Sequence, residues 1–129
     1  MSIPTTIILY GIPNCDTVKK ARTWLAGQGL AYQFHDFRKQ GVPAERLPAW
    51  MAAVGWDRLL NRQGTSWRKL DAAMQAGVQD AASAAALMQE LPSVIKRPVV
   101  EWSGTPTGRV TVGFKAEAWN DLARSDSKA

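Results

Sequence analysis

Residues 5 to 10, TTIILY, form a short β-branched and apolar run that stops at Gly11-Ile12-Pro13. Such a run, bounded by turn residues, predicts a buried strand. The apolar period then lengthens. Val18, Ala21 and Leu25 recur at helical spacing over residues 16 to 28, and Gly29 supplies a C-terminal stop. Residues 31 to 37, AYQFHDF, alternate as a second strand. A strand, a helix and a strand in this order predict a βαβ unit with parallel strands and a right-handed crossover.

The middle of the chain reads as helical. Residues 44 to 53 begin after Pro43 and carry Leu47, Trp50, Met51 and Val54, and Trp56 to Leu60 read as a short helical turn. Thr65 or Ser66 can cap a helix over residues 67 to 76. Residues 79 to 90 are rich in alanine and stop at Pro92. Beyond lie two strand-like pieces, PVVEW (98 to 102) and RVTVGF (109 to 114), separated by SGTPTG. That is a hairpin signal with a loop longer than the tightest types. Residues 116 to 123 can form a last helix, with SDSKA as a frayed tail. The layout is β-α-β, several helices, then β-β-α, with no internal repeat.

Composition narrows the class. The 129 residues suit one domain, with 46% hydrophobic and 21% charged positions. No apolar run approaches the roughly 18 residues that span a bilayer. The segment MSIPTTIILYG carries no basic n-region and no small-residue cleavage site, so no secretion signal is expected. A single cysteine excludes an internal disulfide, and one cysteine with one histidine offers no metal-ligand spacing. A cytoplasmic location follows as the expectation. The net charge of +5 is compatible with an anionic partner but is scattered, without a basic block. No heptad is evident, and a monomer is expected.

The lone cysteine is Cys15, between a proline turn and the first helix. A thiol reacts as its thiolate. For most of it to be ionised at pH 7, its pKa must drop from about 8.5 to about 6, equivalent to roughly 3.4 kcal/mol. Unpaired backbone N–H groups from about Asp16 to Val18 would point toward the sulfur. The helix dipole adds about 0.3–1 kcal/mol, and up to about 2 in favourable sites. At about 100° per residue, Lys19 and Arg22 fall within roughly 40° of Cys15 around the helix. Asp16 opposes ionisation. A further cation from elsewhere in the fold is needed. On spacing alone, Cys15 reads equally as an inert turn residue beside a solvated basic face.

The segments YGIPNCDTVKKARTWL, DFRKQG, LLNRQGTSWRKL, IKRPVV and VGF resemble, in order and spacing, the ArsC-like arsenate reductase family. Within it they are most similar to the small-reductase branch labelled YffB and grouped with the Spx/MgsR proteins. The resemblance covers residues 7 to about 122. It implies an α/β, thioredoxin-like fold, with a mixed four-stranded sheet and a helical insertion. A single domain over 1–129 would then have thioredoxin-like parts at about 5–40 and 92–123 and its insertion at about 43–91. In arsenate reductases of this family one cysteine thiolate attacks the oxyanion, and glutathione and glutaredoxin resolve the adduct. By resemblance the nucleophile is Cys15. Arg97 is the missing cation, and Pro98, after a cis peptide, holds Arg97 toward the thiolate and shapes the substrate groove. Ile12, Pro13, Asn14, Asp16, Thr17, Lys19 and Arg62 join Pro98 as the expected substrate- or glutathione-binding residues.

The chain also departs from the family pattern. Asn61 stands where arsenate reductases have an arginine, with Arg62 adjacent. Gly11 replaces a histidine, and no arginine falls at Gly113 or Phe114, Arg109 being offset. These departures point away from arsenate as the substrate. The CxxC common in Spx regulators is absent: Ile12 and Val18 flank Cys15 at that spacing. An external thiol must therefore resolve any adduct, with glutathione as the expected co-substrate and no bound cofactor.

Several side chains are weighed beside these. His35 could pair with the thiol but lies in a strand pattern. Asp36 and Arg38 read as a local ion pair. Thr65, Ser66 and Arg68 open a helix, by capping or by contacting an anion. The six tryptophans read as packing rather than as a base-stacking platform. Tyr10 and Ile12 are expected to wall the cysteine pocket. The function expected is a glutathione-dependent thiol reductase, acting on glutathione-linked substrates with glutaredoxin as a possible partner. The alternatives are an Spx-like regulator that binds RNA polymerase, and arsenate reduction itself.

Overall fold

The apolar run that opens the chain forms β1 (Ile7–Gly11), and the alternating segment after the first helix forms β2 (Tyr32–Asp36). The computed structural model describes residues 7–102 and 109–127, with side chains to Leu122. Between these strands runs α1 (Asp16–Gly27). Gly29, at φ +70°, turns the chain out of it in a conformation that only glycine adopts readily. The helices α2 (Phe37–Gln40), α3 (Leu47–Val54), α4 (Trp56–Leu59), α5 (Thr65–Arg68), α6 (Ala72–Ala76) and α7 (Ala81–Glu90) follow. A 3-10 turn (Pro92–Val94), β3 (Val99–Glu101), β4 (Val110–Val112) and α8 (Ala116–Ser127) complete the order.

The strands form one sheet in the order β2-β1-β3-β4. β1 and β2 are parallel, with Leu9 opposite Phe34. β3 is antiparallel to both β1 and β4, with Leu9 opposite Val100 and Val100 opposite Thr111. This is the mixed four-stranded sheet expected from the sequence.

Period-two alternation divides the core. Ile7, Leu9 and Val100 face α1 and α8, where Val18, Ala21, Leu25, Trp102 and Trp119 pack. Tyr10 and Val99 face the inserted helices, with Phe37, Leu47, Trp50, Leu59 and Met88. Truncating a buried leucine such as Leu25 typically costs about 2–5 kcal/mol. Trp50, Trp102 and Trp119 are buried, and Trp24, Trp56 and Trp67 pack partly buried against the same clusters. The tryptophans are packing residues, as read from the sequence.

The second face carries an unforeseen group. Glu101 is fully buried. Its carboxylate accepts from the Tyr10 hydroxyl at 2.8 Å, from Trp50 Nε1 at 2.8 Å and from Arg46, with which it pairs. Every partner comes from a distant stretch of chain, so the network locks the insertion to the sheet. Tyr10 is thereby committed. Burial, the Glu101 hydrogen bond and the Glu101 charge all push its hydroxyl well above the usual phenol range.

Local readings are corrected in three places. The helix expected over 67–76 is two short ones: Gly64 precedes α5, and Asp71 caps α6 by accepting from Met74 N at 2.8 Å. Thr65 and Ser66 lie within α5 and make no side-chain cap. Asp36 and Arg38 form a cap rather than an ion pair: the Asp36 carboxylate accepts from the Arg38 backbone N–H at 2.8 Å. The last helix runs on to Ser127, through part of the expected tail. The SGTPTG connection between β3 and β4 and residues 5 and 6 of the first expected strand lie outside the described residues.

Candidate functional site

Cys15 is the N-cap residue of α1, with extended backbone angles (φ −100°, ψ 125°). The turn before it closes with Cys15 N donating to the Ile12 carbonyl at 3.3 Å, with Pro13 and Asn14 at the exposed corners. Proline favours the first corner of such a turn because its φ is preset. The turn delivers the sulfur, partly exposed, to the helix start, where backbone donors lack helical partners.

The net effect on the thiol is a pKa below the usual value. Burial pushes it up. Against that act the Val18 backbone N–H, the Arg97 guanidinium as donor and as charge, and the Thr17 backbone N–H. Asp16, in the first helical turn, lies exposed. Arg97 makes no well-directed N–H···S bond. Its Nη1 donates to the Ser93 carbonyl at 2.9 Å, and its Nε is buried without a partner. Its influence on the sulfur comes from the nearby guanidinium, both as donor and as charge. The Arg97–Pro98 peptide is cis, as the resemblance implies. The carbonyl of buried Pro98 accepts from Gly113 N at 2.9 Å, which ties this segment to the end of β4.

The cleft around the thiol is lined by Cys15, Thr17, Asn61, Lys96, Arg97, Gly113 and Phe114. Asn61 reaches it from the insertion. Leu60 and Ile95 form an antiparallel bridge, Asn61 N donates to the Val94 carbonyl at 2.7 Å, and Lys96 N donates to the Leu59 carbonyl at 2.7 Å. Phe114 supplies an apolar wall, backed by Trp119 at 4.7 Å between ring centroids.

Thr17 and Arg97 therefore stand with Cys15 as expected, and Pro98 lies directly behind Arg97. Other expected site residues do not line the cleft. The side chain of Ile12 is buried in the cluster that faces the insertion. Pro13, Asn14, Asp16 and Lys19 are exposed on the turn and the first part of α1. Arg62 leaves the cleft to its neighbour Asn61 and stacks on Trp56 and Trp67, at 5.3 and 5.9 Å. Those aromatic faces attract the guanidinium through their ring quadrupoles while the residue stays exposed. Tyr10 and Ile12 do not wall the thiol. His35 is also elsewhere: it hydrogen-bonds the Gly41 carbonyl at 2.8 Å and packs on Tyr10. Lys96 was missed, although its place beside Arg97 in IKRPVV was the available signal.

A thiol held at a helix start beside a cation, in a cleft open to solvent, can act as a nucleophile toward sulfur or an oxyanion. Together with the mixed sheet this defines a thioredoxin-like protein with one cysteine at its site. The profile of the ArsC family matches residues 10–122, and the chain belongs to that family. A protein of Haemophilus influenzae is 36% identical over 113 residues, covering 88% of this chain and 95% of its own. A YffB protein of known structure is 50% identical, with a TM-score of 0.81 over 89% of this chain and 96% of that one. The global transcriptional regulator Spx of Streptococcus agalactiae is 24% identical over 113 residues, 86% of this chain and 78% of its own.

Proposed function

We propose that this ArsC-family protein is a glutathione-dependent thiol reductase that acts as a cytoplasmic monomer. The observation that carries this reading is Cys15 at the start of α1, its ionised form favoured by the Val18 and Thr17 N–H groups and by Arg97. The Cys15 thiolate attacks one sulfur of a glutathione mixed disulfide. An S–S bond forms between Cys15 and glutathione, and the substrate leaves as its thiolate. A second glutathione thiolate attacks the adduct, forming oxidised glutathione and returning Cys15 as thiolate. Substrate thiol and glutathione disulfide are the net products, so no second protein cysteine is required. Glutaredoxin is a further candidate for the resolving step.

Turnover of a glutathione mixed disulfide, with oxidised glutathione followed through a coupled NADPH-dependent reductase, tests this directly. The wild type turns over and accumulates Cys15 carrying one glutathionyl group when free glutathione is withheld, while Cys15→Ser does neither. Absence of both in the wild type removes the reading.

Similarity to Spx supports a second reading, a transcriptional regulator with RNA polymerase as partner. The lack of a second cysteine near Cys15 weighs against redox control through an internal disulfide. Capture of RNA polymerase subunits by the purified protein would favour it. Arsenate reduction is the third reading. Asn61 and Gly113 in the cleft, where the resemblance calls for arginines, weigh against it. Turnover of arsenate with glutathione and glutaredoxin would restore it.

A further inference from the structure

Lys96 and Gly113 occupy one wall of the thiol cleft. Gly113 has φ +79°, and a Cβ placed on it would lie 3.4 Å from Lys96 Cε. The lysine stem therefore runs past the glycine, within van der Waals contact of where a Cβ at 113 would lie. Backbone geometry selects glycine here. Lys96 is pinned at its root by its N–H bond to the Leu59 carbonyl, at 2.7 Å. Its side chain makes no hydrogen bond or ion pair among the described residues, where the ion pair is Arg46–Glu101. Arg97, by contrast, is engaged by the Ser93 carbonyl. The cleft thus holds two cations with different duties: Arg97 beside the sulfur, and Lys96 on the wall with its charge uncommitted.

We infer that Lys96 is a specificity-determining residue. It selects, among compounds that reach Cys15, small thiols or disulfides that carry a carboxylate or similar anionic group near the reacting sulfur. A compact ammonium on a flexible stem suits this task, because it can follow an anion without fixed bidentate geometry. Phe114, opposite in chemistry, receives the apolar part of the same molecule. This inference rests on the reading of Cys15 as the reacting thiol.

The test uses two alkylating probes of the full-length protein that differ mainly in charge, iodoacetate and iodoacetamide. In each, the Cys15 thiolate attacks the methylene carbon, an S–C bond forms, and iodide leaves. Both rates scale with the same thiolate fraction, so their ratio at one pH reports charge selection rather than the thiol pKa. In Lys96→Met, which keeps the apolar stem, the iodoacetate-to-iodoacetamide ratio falls roughly three- to tenfold at low salt. Lys96→Gln behaves alike, and Lys96→Arg retains most of the wild-type ratio. An unchanged ratio in Lys96→Met and Lys96→Gln, or an equal change in both rates, overturns the assignment. A lowered ratio in a protein that fails to turn over glutathione mixed disulfides removes the reductase reading and leaves the role of Lys96 standing. Turnover with an unchanged ratio does the reverse.

Discussion

The backbone N–H of Lys96 donates to the carbonyl of Leu59 across 2.7 Å, joining the segment that carries Arg97 to the helical insertion. With the reciprocal bond from Asn61 to Val94, it sets a residue of the insertion on the rim of the thiol cleft. The insertion is therefore part of the site as well as part of the core. Asn61 supplies a neutral amide there. Replacing it with arginine adds a third positive group to the rim, beside Lys96 and Arg97. Asn61→Arg is expected to raise the rate of Cys15 alkylation by iodoacetate about two- to fivefold at low salt, an effect lost at about 1 M salt. Equal rates for the wild type and the variant would show that position 61 does not face the reacting sulfur.

Glu101 sits on the other face of the sheet, and its loss should be structural. Glu101→Ala leaves the Tyr10 hydroxyl, Trp50 Nε1 and Arg46 without their shared acceptor. The expected loss is about 3–5 kcal/mol by urea denaturation. In the protein that remains folded, the pH midpoint of Cys15 alkylation should not move. A shifted midpoint would mean that the two faces are coupled.

Gly11 gives a steric prediction. A Cβ on it would lie 2.8 Å from Val18 Cγ2, inside the packed contact of β1 with α1. The Val18 backbone N–H is also among the groups that favour the thiolate, so the clash falls on the site. Gly11→Ala is expected to cost about 1–3 kcal/mol, and Gly11→His more. Thermal denaturation checks this; an unchanged midpoint for Gly11→Ala would show that α1 can shift freely against β1. The histidine that the resemblance calls for at this position cannot be restored without moving Val18.

Much of this was legible in the sequence. The apolar run at Ile7 to Tyr10 and the spacing of Val18, Ala21 and Leu25 are strong local signals, and they place Cys15 at a helix start. Position along the chain did not reveal which neighbours share its cleft. Lys19 is four residues from Cys15 yet stands exposed on the helix, while Lys96 and Gly113 arrive from distant segments. Arg62 and Asn61 show the limit most clearly. Asn61 and Arg62 open a tight turn closed by Gly64 N donating to the Asn61 carbonyl, so the two side chains part, and Arg62 stacks on Trp56 and Trp67. Nothing local singles out Glu101, yet alternation from Val99 puts it on a covered face. The break between α5 and α6 falls at Asp71, a cap that apolar spacing over 67–76 does not show.

Ionisation of Cys15 should also appear in stability. Its pKa is lower in the folded than in the unfolded chain, so between the two values the unfolded chain binds more protons and stability rises with pH. The contribution is complete above the unfolded value, about 8.5, and is lost as pH falls through the folded one. Under reducing conditions, the wild type should therefore gain stability relative to Cys15→Ser as pH rises from acid toward that value. A difference that does not change with pH would mean that folding leaves the thiol unperturbed.

The most direct test of the central claim is the rate of Cys15 alkylation by iodoacetamide against pH, in the wild type and in Arg97→Ala. An activated thiolate gives a wild-type midpoint below the ordinary thiol value of about 8.5, and a higher midpoint in Arg97→Ala. A midpoint at or above that value in both proteins would contradict an activated thiol held by Arg97.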